Sequence, residues 1–172
     1  MRLLRICSLV AFTLFLSMAN AFAQEKPLSP QAVVKGTVGG VKTEIVYCRP
    51  SARGRKMVGG KDPYGQVWRT GANAATTIEF NDDVLIEGKP LKEGKYALFT
   101  IPGETDWVII FNTGYEDAWG AYDYKQSEDV LRVSVKAGKA KSYVETFTIA
   151  AEKNKVSLSW ENFYVAFSVK KD

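Results

Sequence analysis

From Ala32 onward, apolar and polar residues alternate with a period of two along most of the chain. In VKTEIVY, Val41, Thr43, Ile45 and Tyr47 fall on one side, and Lys42 and Glu44 on the other. Leu131, Val133 and Val135 alternate with Arg132, Ser134 and Lys136; Val156, Leu158 and Trp160 alternate with Ser157 and Ser159; Val165, Phe167 and Val169 alternate with Ala166, Ser168 and Lys170. This pattern predicts strands with one buried and one wet face. YALFTI (96–101) and WVIIFN (107–112) are apolar on both sides and predict central strands, joined as a hairpin through residues 102–106.

Turn residues punctuate the pattern. Gly39-Gly40, Asn81-Asp82-Asp83, Glu87-Gly88, Glu93-Gly94, Ala137-Gly138 and Lys153-Asn154 each separate candidate strands. No window carries a sustained helical period. Short strands at this spacing predict an all-β fold, a single antiparallel β-sandwich of jelly-roll character with about nine or ten strands. Two segments are too long for ordinary turns: a basic one from Arg49 to about Gly71, and an acidic, aromatic one from Thr113 to Asp129. Connections of this length in a compact domain are usually functional or fold over the core.

The N-terminus departs from the strand pattern. Arg2 and Arg5 precede an apolar run from Ile6 to Met18, and Ala21-Phe22-Ala23 supplies a small-x-small cleavage pattern. These are the parts of a secretory signal peptide, with Gln24 as the first mature residue. The run is shorter than the roughly 20 apolar residues of a spanning helix. Export is therefore expected, with residues 1–23 removed and 24–172 forming one domain.

Composition narrows the chemistry. The full chain carries 23 Lys and Arg against 19 Asp and Glu, and loss of Arg2 and Arg5 leaves a net charge of +2. That is too mild to imply nucleic acid or an anionic membrane as partner. Cys48 is the only cysteine after cleavage, so no intramolecular disulfide can form; next to an apolar strand, it is expected to be a buried small hydrophobe. The chain has no histidine. This excludes Ser-His-Asp and Cys-His nucleophile systems and His-ligated metal sites.

The basic segment gathers Arg49, Arg53, Arg55, Lys56, Lys61 and Arg69 among the glycines at 54, 59, 60 and 71. Guanidinium groups bind carboxylate, phosphate or sulfate bidentately, and the glycines permit close backbone approach. The spacing matches no phosphate-loop fingerprint. The competing reading is a structural clasp, its arginines paired with the acidic loop and with strand-end carbonyls.

The acidic loop sets Glu116, Asp117 and Asp123 beside Tyr115, Trp119, Tyr122 and Tyr124. Aromatic faces with carboxylates suit a saccharide or a cation, but the acids do not follow a calcium-binding loop, and no metal or cofactor is expected. The aromatics can equally serve as a cover packed on the sandwich end. Glu79, Asp82, Asp83, Asp117 and Asp123 are available for a carboxylate-pair hydrolase, though no pattern singles out two of them.

RPSARGRK at 49–56 and PYGQVWRTGANAATTIEF at 63–80 resemble the domain of unknown function 2911 family of secreted bacterial proteins. The resemblance continues through GKPLKEGKYALFTIPGETDWVIIFN at 88–112 and WGAYDY at 119–124. It implies a Bacteroidota source and export to the periplasm or cell surface. It implies no catalytic residues. The residues themselves favour a binding domain over an envelope hydrolase or a module without a small ligand. The expected site is a polar or anionic ligand held at one loop-lined end by Arg53, Arg55, Arg69 and Asn73, with Trp119 and Tyr122 as a stacking wall. Oligomeric state is left open.

Overall fold

Every stretch with a two-residue period becomes strand. The computed structural model describes residues 27–116 and 119–172; the signal-peptide reading of residues 1–23 and the candidate acid Asp117 lie outside them. Among the described residues there are nine strands: β1 (Gln31–Val38), β2 (Val41–Cys48), β3 (Thr77–Phe80), β4 (Val84–Ile86), β5 (Lys89–Leu91), β6 (Gly94–Ile101), β7 (Asp106–Asn112), β8 (Asp129–Ala151) and β9 (Lys155–Lys171). A single 3₁₀ turn, Gln126–Glu128, is the only helical element among them. All pairings between strands are antiparallel, in the order β1-β2-β3-β6-β7-β8-β9-β4-β5.

The sheet folds over itself because β8 belongs to both halves. Its first part pairs with β7, from Asn112↔Asp129 to Asp106↔Lys136; its remainder pairs with β9, from Ala137↔Val165 to Ala151↔Val156. Ala137-Gly138, expected as a turn, is instead the point inside β8 where one partner replaces the other. A Cβ on Gly138 would lie 3.2 Å from the Tyr164 carbonyl oxygen, so glycine here serves close backbone approach rather than a chain reversal. The other expected turns fall between strands, except that Gly94 opens β6.

The inward residues of the two halves meet in one core, which gives the fold its sandwich character. Val41, Ile45, Ile78, Phe80, Leu98, Ile109 and Phe111 on one half face Phe147, Ile149, Leu158, Val165 and Phe167 on the other. Contacts across the gap are edge-on: Tyr47 meets Phe147 and Phe111 meets Phe167, each pair with ring centroids 5.7 Å apart and planes at 89°. A second, smaller apolar cluster lies on the outer face of β6 and β7, where Ala97, Phe99 and Ile110 are covered by Tyr115, Ala121 and Tyr124. The double-sided hydrophobicity of YALFTI and WVIIFN thus has a structural cause.

Candidate functional site

The basic segment is held by its own arginines. Residues 50–52 run beside β8, with Phe147 N donating to Pro50 O and Ala52 N donating to Glu145 O, both at 2.9 Å. Arg49 donates to Phe147 O at 3.2 Å and to Thr148 Oγ1 at 2.9 Å. Arg53 has a left-handed backbone (φ 52°); its N–H donates to Glu145 Oε1 at 2.6 Å and its guanidinium to Leu28 O at 3.1 Å. Arg55 donates to Ala52 O at 2.9 Å and Ser51 O at 3.1 Å. Arg53 and Arg55 thus satisfy carbonyls of an irregular chain that cannot satisfy them by ladder pairing, while Arg49 ties the start of the segment to β8.

The next turn is pinned from below by a buried carboxylate. Glu161, only 8% exposed and with φ 51°, sits in β9 opposite the bulged stretch of β8. It accepts the N–H of Met57 at 3.1 Å on Oε1 and that of Val58 at 2.8 Å on Oε2. Gly59 has φ 71°, and a Cβ there would come within 2.5 Å of Tyr64 Cζ; glycine is the residue this turn accepts. Asp62 closes the turn, its carbonyl accepting from Gly59 N and its N–H donating to Met57 O, both at 2.9 Å.

The WRTGAN stretch then plugs the sandwich. Trp68 stacks on Trp160 and meets Phe147 and Trp107 edge-on. Its backbone pairs with Thr100 in both directions, at 2.7 and 2.9 Å, and its indole N–H donates to Gly71 O at 3.2 Å. Buried Thr70 donates to Thr100 Oγ1 at 3.1 Å, and Thr76 Oγ1 donates to Thr70 O at 2.7 Å. Arg69, between these anchored neighbours, turns the other way. Its Nε is buried and has no hydrogen-bond partner among the described residues.

The acidic loop folds onto this region. Gly120 N donates to Asn73 O at 3.0 Å, and Ala74 forms a β-bridge with Trp119. A Cβ on Gly120 would lie 2.9 Å from Arg69 Nη1, so the loop passes directly over the guanidinium. Its far end is tied by Asp129, which accepts from Tyr124 OH at 2.8 Å, Arg132 Nε at 2.6 Å and Asn112 Nδ2 at 2.8 Å. The Arg132 guanidinium also donates to Tyr124 OH. This loop covers the outer sheet face, and among the described residues its acids make no ion pair with the arginines of the basic segment.

Two cavities flank the crossing. One, of about 280 Å³, is lined by Lys61, Asp62, Gln66, Arg69, Ala121 and Tyr122, with Pro63, Val67 and Trp68 as its apolar wall. Half-buried Asp62 has its pKa raised to about 6; burial is the main cause, Glu161 raises it further, and Arg69 works in the opposite direction. The second, of about 450 Å³, is lined by Gln31, Cys48, Ala74, Thr77, Lys95, Tyr115 and Trp119 among others. Cys48 is half-buried and borders this cavity; it is not the fully buried hydrophobe expected, because its even-numbered position in β2 points to the outer face.

The six expected ligand residues are therefore distributed over three places. Arg69 and Tyr122, the latter 89% exposed, share the smaller cavity. Trp119, 62% exposed, lines the larger one. Asn73 has φ 60° and holds Gly120 through its carbonyl, while Arg53 and Arg55 hold the clasp. Asp62, which no spacing rule singled out, joins Arg69. Burial was the missing signal, and burial is not written in local sequence.

The acids available for a hydrolase are scattered. Asp82 pairs with Lys171 at 2.8 Å, and Asp83 with Lys92 at 2.7 Å and Glu93 N at 2.9 Å. Asp123 accepts from Trp119 N at 3.2 Å. Asp62 and Glu161 are electrostatically coupled, but both Glu161 oxygens are committed to backbone N–H groups. Among the described residues, no group of three or more Cys, Asp or Glu is placed to hold a metal ion, and no helix is long and apolar enough to cross a membrane.

Fold and site together define an all-β, sandwich-like domain whose two long loops cross over a cationic cavity. The chain belongs to the family described as protein of unknown function (DUF2911), whose model matches residues 29–169 and so spans both loops. Comparison with curated proteins and with solved structures gives no match.

Proposed function

We propose that this is an exported binding domain that takes a small polar, anionic ligand in the cavity shared by Arg69, Asp62 and Tyr122. The observation that carries the reading is the buried Arg69 Nε, which has no hydrogen-bond partner among the described residues, beside that cavity. A buried donor left unsatisfied costs about 1–3 kcal/mol, and a ligand oxygen would offset that cost. Tyr122 offers an aromatic face at the rim, Lys61 a second cation, and Asp62 and Gln66 hydrogen-bonding partners for hydroxyl groups. Arg53, Arg55 and Asn73 act as supports that fix the loops, and Trp119 borders the neighbouring cavity. Export rests on the pattern of Arg2, Arg5, the apolar run Ile6–Met18 and Ala21-Phe22-Ala23. It places the domain in the periplasm or at the cell surface.

Thermal-shift screening of residues 24–172 against sugar acids, phosphorylated sugars and simple carboxylates tests the binding reading, since a ligand selective for the native state raises apparent stability. A shift present in the unmodified domain and lost in Arg69→Gln supports it. Equal shifts in both proteins, or none with any anion, refute it. Mass measurement of the exported protein tests the cleavage after Ala23.

A further inference from the structure

The β8–β9 hairpin carries a feature that the loop site leaves unused. Between Lys139↔Phe163 and Val144↔Glu161, five residue steps on β8 oppose only two on β9. The surplus residues of β8 leave the ladder, as in an enlarged bulge. Beside this break is a cavity of about 600 Å³ whose lining includes Lys139, Lys141, Ser142, Lys155, Ser159 and Tyr164.

Its charge is unbalanced. Among the described residues Glu152 is the only acid in the lining, and it is already engaged: Lys155 lies 3.2 Å from Oε2, and Tyr164 OH donates to Oε1 at 3.1 Å. Lys155 also rests over the Tyr164 ring, 5.4 Å from its centroid. Lys139 and Lys141 are exposed and have no ion pair among the described residues. Both line the same groove, so it presents two cations that an anionic group could satisfy.

We propose that this groove is a second binding site, for sulfate or phosphate groups carried on a saccharide chain. The lysines supply point-charge contacts to the anionic groups. The hydroxyls of Ser142 and Ser159 supply partners for sugar hydroxyls. At about 600 Å³ the groove is larger than an isolated phosphate requires, and three lysines line it, which suits an anionic oligosaccharide.

The test is calorimetric titration of residues 24–172 with a heparin-derived sulfated hexasaccharide at about 0.15 M salt, a screening regime that suppresses diffuse charge effects. Binding is expected, and Lys139→Ala/Lys141→Ala should weaken it by about tenfold or more. Lys42→Ala/Lys56→Ala, with the same change in net charge, should leave it within about twofold. Arg69→Gln should also leave it intact, which separates this site from the cavity at Arg69. A Lys139→Gln/Lys141→Gln variant, with thermal melts of all variants, guards against loss of fold. Absence of binding, equal loss in both lysine pairs, or binding to phosphatidylserine vesicles without binding to the hexasaccharide would overturn the proposal.

Discussion

Trp68 lies flat on Trp160, ring centroids 5.4 Å apart and planes 15° apart, with Trp107 and Phe147 against its edges. A residue from a long irregular loop thereby becomes the central piece of the core. Its neighbour Arg69 is fixed by the same anchor, so the position of the cavity depends on the packing of the sandwich.

Trp68→Ala should cost about 3–5 kcal/mol, as for other large aromatic truncations in cores. Urea unfolding monitored by circular dichroism measures it. Trp68→Phe, which keeps an aromatic ring but loses the indole bond to Gly71, should cost clearly less.

Glu161→Ala leaves the N–H groups of Met57 and Val58 without their acceptors. The expected loss is roughly 3 kcal/mol, the sum of two buried donors left unsatisfied. Amide hydrogen exchange should accelerate first at Met57 and Val58. If their protection is unchanged, the carboxylate is not what holds the turn.

Asp62 makes a pH-dependent prediction. Its folded pKa, about 6, lies above its unfolded value near 3.8, so the folded state binds more protons in between. Stability from this group is present below pH about 4 and is lost as pH rises through about 6. Asp62→Asn should therefore stabilise the domain at pH 7, by about 1–2 kcal/mol after allowance for solvent screening, and flatten the profile between these values. Anion binding at Arg69 should strengthen as Asp62 is protonated, because a competing negative charge is removed.

Arg69→Gln removes the one charge that lowers the Asp62 pKa. The Asp62 titration, followed by carboxyl NMR, should move upward in this variant. It should not move in Arg55→Ala, whose partners are the carbonyls of Ala52 and Ser51; that variant should instead lose about 1–2 kcal/mol of stability.

A maleimide should label Cys48 in the native domain, because the residue borders a cavity on the outer face of β2. Labelling only in denaturant would show that Tyr115 and Trp119 close that cavity in solution.

Much of the fold was legible in local sequence. Val41, Thr43, Ile45 and Tyr47 read as one face because side chains in a strand alternate, and they are buried together. Gly39-Gly40 and Glu87-Gly88 read as turns because their backbone must enter the left-handed region, and it does so at all four residues. Ala137-Gly138 misled because the same small residues serve a strand passing between two partners. The basic segment was the harder case. Its composition announces cations, but whether a guanidinium binds a ligand or a carbonyl depends on what lies across from it.

The sequence by itself determined an all-β domain with two long, chemically opposite loops and no histidine chemistry, since strand period, turn residues and composition are local properties. Only the tertiary structure decided that Arg49 and Arg53 tie the chain to β8 and Arg55 braces its own segment, while Arg69 faces a cavity with Asp62. The reason is physical: hydrogen-bond satisfaction and desolvation are set by neighbours distant in the chain, and β8, Glu161 and the loop at Gly120 meet the basic segment only once the sheet has folded over.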